Sequence, residues 1–159
     1  MTPTHSRLVS TTILAGLTAA ILEFLPALIL QGARGASPLE LLQSIAGGIV
    51  GKAAYAGGIA SGVLGGALLL LISLTAAGLF VLASRRWPVL IDRYISAGLG
   101  YGLLCYAVMN FVLMPQAAVT VAPATAWSLI SKSVVVQLSA FGLPIAVMTR
   151  LATLRARWS

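Results

Sequence analysis

Residues 53–84 read AAYAGGIASGVLGGALLLLISLTAAGLFVLAS and contain no charged side chain. A helix needs roughly 20 mostly apolar residues to cross the hydrocarbon core of a bilayer, and this run exceeds that length. Three further segments match it. Residues 9–30 are interrupted only by Glu23 and Pro26, residues 95–114 by no charge, and residues 128–148 only by Lys132 near their start. With the second crossing placed at about 60–84, the sequence predicts an all-α, polytopic membrane protein of four transmembrane helices in a single integral domain over 1–159.

Composition agrees. Of 159 residues, 59% are hydrophobic and 8% charged, against about 25% charged in an average soluble domain. A soluble fold of this size needs a polar skin that these residues cannot supply. A disordered chain is excluded by the apolar content. A disulfide scaffold is excluded by a single cysteine, Cys105. The only histidine, His5, lies in the polar N-terminal tail, so the sequence offers no metal-ligand cluster and no cofactor motif. The net charge of +7 is distributed between apolar runs rather than along a stripe. That argues for orientation signals and against nucleic acid.

Arg7 and the apolar residues after it resemble the start of a secretory signal. Glu23 and Pro26 interrupt the run, however, and Ala33–Ala36 makes a poor cleavage site, so the segment reads as a retained membrane helix. Arg7, Arg85, Arg86, Arg93, Arg150, Arg155 and Arg157 fall on one side of the predicted threading, and Arg34, Lys52 and Lys132 on the other. This asymmetry predicts cytoplasmic N- and C-termini. Arg85, Arg86 and Arg93 form a juxtamembrane cluster suited to anionic lipid headgroups.

Between the first two crossings, Ser37-Pro38-Leu39-Glu40 carries the signature of a helix start. Ser37 is the N-cap, Pro38 takes the first helical position and Glu40 reaches back. The spacing predicts a short helix over about 38–52, either interfacial or re-entrant. Leu42, Ile45, Ala46, Ile49 and Val50 fall on one side, and Glu40, Gln43, Ser44, Gly47 and Gly51 on the other.

Small residues recur at four-residue spacing. Ala54, Gly58, Gly62 and Gly66 form one row, Gly57, Ser61 and Gly65 a second, and Gly98 with Gly102 a third. In lipid such rows let helix backbones approach closely. They serve either packing within the chain or an interface with a second copy or another membrane subunit.

The candidate functional residues are polar groups at membrane depth: Glu23, Asn110, Gln137 and Lys132. An acid there costs about 2.5–3.5 kcal/mol on insertion scales and faces the bundle interior or a partner. Glu23 reads equally as a proton or cation site and as a packing residue. Lys132 and Lys52 are its candidate ion-pair partners, with Lys132 the better placed, although the favoured reading of Lys132 is that it snorkels to the surface. Tyr101, Cys105 and Tyr106 read as packing residues. Three acids at different depths, and no nucleophile beside a base, give no catalytic set.

The stretch from Ser37 to Gly48, continuing through Tyr55-Ala56-Gly57-Gly58, resembles small four-helix bacterial inner-membrane proteins of the YagU-like group. The resemblance implies a bacterial inner-membrane location and no particular activity or site. The leading expectation is a non-enzymatic small membrane protein acting through helix packing, as a homo-oligomer or an accessory subunit of a larger complex. Its partners would be membrane lipids and other membrane proteins. The alternative is a proton- or cation-coupled transporter or channel component using Glu23.

Overall fold

The computed structural model describes residues 3–33, 35–113 and 134–157. Among these residues every regular element is helical: α1 (Pro3–Gly32), α2 (Pro38–Val50), α3 (Ala53–Ala56), α4 (Gly58–Arg86), α5 (Val89–Asp92), α6 (Tyr94–Ala107) and α7 (Leu143–Arg157). Two π-helical segments complete the set. Val108–Leu113 extends α6, and Gln137–Gly142 leads directly into α7.

Three helical stretches are long and apolar enough to cross a membrane: Leu8–Gly32, Gly58–Arg86 and Val134–Leu154. The predicted crossing at 95–114 takes a different form. It is α-helical over 14 residues and π-helical over the last six, so no single α-helix there reaches spanning length. The start of the predicted crossing at 128–148, with Lys132, lies outside the described residues.

Helix α1 runs antiparallel to α4. A Cβ on Gly16 would stand 2.8 Å from Leu74 Cδ2 and 2.9 Å from its Cα, and one on Gly78 would meet Thr12. Helix α6 runs antiparallel to residues 134–157 through a tighter crossing. A Cβ on Gly98 would lie 2.9 Å from Ala146 Cβ and 3.1 Å from the Gly142 oxygen, and one on Gly102 would lie 2.8 Å from Leu138 Cα. The two pairs meet in a core of Ala15, Ala19, Ala77, Phe80, Phe141, Ile145 and Ala146. The guanidinium of Arg150 stacks 4.1 Å above the ring of Tyr94, closing the end that also carries Arg85, Arg86 and Arg93.

The small-residue rows are thus largely occupied within the chain. Gly62 faces Leu39 and Gly65 faces the Leu42 carbonyl, both on α2, while Gly66 makes only an ordinary contact with Leu42. A Cβ on Gly58 would meet open space. The residue's φ of +55° makes it a conformational glycine where the chain turns into α4.

The helix start at Ser37 forms as the sequence predicts. Ser37 Oγ accepts from the Glu40 amide at 3.2 Å, and the Ser37 amide donates to Glu40 Oε2 at 2.7 Å. The helix stops at Val50, two residues short of the expected end, because Gly51 turns the chain at φ +70°. The inward face of α2 draws on both sides of its sequence pattern, with Leu41 and Ala46 buried. Gln43 and Gly47, assigned to the polar side, are buried, whereas Ile49 and Val50 are exposed. Hydrocarbon removes the reason for apolar groups to turn inward, and what matters between helices is close approach and hydrogen bonding. Gly47 is small, and Gln43 Nε2 donates to the Gly58 oxygen at 2.9 Å, tying α2 to the start of α4. Ser37→Ala removes the reciprocal cap and should destabilise α2 locally by about 1 kcal/mol. Hydrogen exchange should show the first turn of α2 exchanging several-fold faster, with α4 unchanged.

Candidate functional site

The four structural partners α1, α2, α4 and α6 enclose a cleft of about 610 Å³. It exists because α4 and α6 do not pack backbone to backbone. Tyr101 bridges the gap instead. Its hydroxyl donates to the Ala76 oxygen at 2.7 Å, and its ring meets Phe80 edge-on, with centroids 5.1 Å apart. Leu41 and Ile45 of α2 line the cleft at one end, and both π-helical segments contribute to its wall, through Val108 and Met109 and through Gln137 and Phe141. Single turns of π-helix recur at functional sites because they re-aim side chains that an α-helix would place elsewhere.

The lining is apolar apart from Glu23, Thr75, Tyr101, Cys105 and Gln137. Thr75 Oγ1 donates to its own helix at the Leu71 oxygen, 2.7 Å away, and Tyr101 donates to Ala76. Cys105 lies one turn along α6 from Tyr101, on the same wall. That leaves the carboxyl of Glu23 and the amide of Gln137, which line the cleft together. Glu23 stands about nine residues, or roughly 13 Å, from the Gly32 end of α1.

Glu23 and Gln137 therefore meet across α1 and the second π-helical segment. The close crossing of Gly98, Gly102 and Gly142 positions Gln137, since a Cβ on Gly102 would stand 2.9 Å from the Gln137 oxygen. Asn110 does not join them. It is exposed and its Nδ2 donates to the Tyr106 oxygen one turn back, at 2.9 Å. Lys132 lies outside the described residues. Lys52 is exposed, and Glu23 has the Gln137 amide rather than Lys52 beside it. Arg85, Arg86 and Arg93 are exposed at the opposite end from α2.

Tyr101 and Cys105 pack against the core, as their sequence reading has it, and also form part of the cleft wall, where Thr75 joins them. The spacing of Tyr101, Cys105 and Val108 does place them on one helical face, which is the signal that could have grouped them.

No family model, curated protein or solved structure matches the chain.

Proposed function

We propose that this is a multi-pass protein of the bacterial inner membrane, with both termini cytoplasmic, and that its working site is the cleft at Glu23. On this reading it is a small transporter or channel component that carries or responds to protons or cations. The observation that carries the proposal is that Glu23 and Gln137 share a mostly apolar cleft whose hydroxyls, those of Thr75 and Tyr101, are already donated to backbone oxygens. A bare carboxylate at membrane depth costs about 2.5–3.5 kcal/mol. One interhelical amide returns only about 1 kcal/mol. A proton or a cation that neutralises the charge supplies the remainder, and exchange of that species is the chemistry the site can perform. The continuous helical run from Tyr94 through Leu113 supports a fourth crossing. The arginines gathered at one end support the orientation, and they suit anionic headgroups there.

Reconstituted into proteoliposomes, the full chain should dissipate an imposed pH or cation gradient. Glu23→Gln should reduce the flux about tenfold or more while leaving helical content and gel-filtration behaviour unchanged. Absence of flux by the unsubstituted chain across protons and common cations would remove the transport reading.

The accessory-subunit reading has less to stand on, because Gly62, Gly65, Gly98 and Gly102 face neighbours within the chain. Gly32, Gly48, Gly58 and Gly100 are helical glycines that it retains, each with open space beside it. Crosslinking in native membranes that captured a second copy or a fixed partner would favour it.

A further inference from the structure

Building on the assignment of the cleft at Glu23 as the working site, we infer that its ligand is a lipophilic organic cation that enters sideways from the hydrocarbon. Three observations define this class. The first is access. The gap between α4 and α6 is edged by Leu71, Leu79, Leu104 and Val108, which are 61%, 59%, 57% and 42% exposed. Among the described residues this edge presents hydrocarbon to hydrocarbon. A hydrated metal ion gains nothing from such a mouth, whereas an apolar molecule dissolved in the bilayer crosses it without desolvation.

The second observation is size. A volume of about 610 Å³ lies within the range that holds a drug-sized molecule, roughly 300–1,000 Å³. It is far larger than an alkali cation needs. The leucines, isoleucines and Phe141 in its wall offer contact to rings or alkyl arms rather than ligands to a metal.

The third observation is charge. The hydroxyls of Thr75 and Tyr101 are already donated to backbone oxygens. No Lys or Arg lines the cleft among the described residues. The charge it presents to a ligand is that of the Glu23 carboxylate, with the Gln137 amide beside it. An apolar body with one delocalised positive charge matches wall and carboxylate together, and a neutral lipid tail would match only the wall.

Tetraphenylphosphonium and tetraphenylborate test this directly, since they share shape and size and differ in the sign of the charge. Equilibrium dialysis against the full chain in phospholipid nanodiscs, with empty nanodiscs subtracted, should give saturable binding of the phosphonium and none of the borate. Glu23→Gln should weaken phosphonium binding about tenfold or more. No saturable phosphonium binding, equal binding of the borate, or full binding by Glu23→Gln would each overturn the inference. Proton flux that depends on Glu23 without phosphonium binding would overturn this inference alone. Selective phosphonium binding without any flux would sustain it and remove transport instead.

Discussion

Gly142→Val is expected to leave no compact bundle. A Cβ at Gly142 would be driven into the Gly98 oxygen and would lie 2.5 Å from the Gly102 nitrogen and 2.6 Å from its Cα. All three are backbone atoms, so no rotamer change can make room, and α6 must move away from residues 134–157. In lipid the pair is held chiefly by dispersion between closely apposed backbones. A gap of only about 0.5–1 Å already forfeits a quarter to a half of each contact. The helices therefore lose attraction as soon as they relieve the clash. Overpacking commonly costs about 1–3 kcal/mol, and this site belongs at or above the upper end because nothing flexible absorbs the intrusion. Thermal or SDS-titrated unfolding in mild detergent should show a large loss of stability or polydisperse material. Gly100→Ala is the matched control. It lies on the same helix as Gly98 and Gly102 with nothing within 4 Å, and replacing a helical glycine by alanine is neutral to mildly stabilising. Equal behaviour of the two variants would disprove the account of this crossing.

The second large effect is expected at Gly65→Val, and it is local. A Cβ there would overlap the Leu42 oxygen, approach the Leu42 carbonyl carbon to 2.7 Å and stand 3.3 Å from the Ala46 amide. Helix α2 must lift from α4, and the Gln43–Gly58 hydrogen bond goes with it. The Leu41 and Ile45 contribution to the cleft is lost at the same time. Protection of α2 amides should fall about a hundredfold, the equivalent of ~3 kcal/mol, while α1 and α7 keep theirs. Neighbouring glycines should grade with the atoms they meet. At Gly62 the obstacle is the mobile tip of Leu39, and at Gly66 there is ordinary contact at 3.9 Å. The order of damage should be Gly65, then Gly62, then Gly66. A flat response across the three would show that α2 is not seated by backbone contact.

Much of this architecture was legible in the residues. Long apolar runs place α1, α4 and most of residues 134–157 because hydrocarbon thickness sets their length. The reciprocal bonds of Ser37 and Glu40 follow from a spacing that the sequence displays openly. The register between helices was not legible. Helices that are apolar on every side carry no stripe to say which face turns inward, and the two-sided pattern of α2 did not foretell that Gln43 and Gly47 would be buried together with Leu41 and Ala46. The same gap hid the partner of Glu23. Lys132, the better placed of the two lysines, lies outside the described residues, and among those described it is Gln137 that shares the cleft with Glu23. Neither π-helical segment has a sequence signature, although together they shape the cleft wall.

The antiparallel pairing of α1 with α4, and of α6 with residues 134–157, bears on how the polypeptide is made. Each pair is consecutive among the long helical elements, and each is closed by contacts of its own. Synthesis from the N-terminus thus releases one completed hairpin before the other emerges. The first hairpin holds Glu23 and the second holds Gln137, so the carboxyl meets its amide only when the two hairpins dock in the membrane.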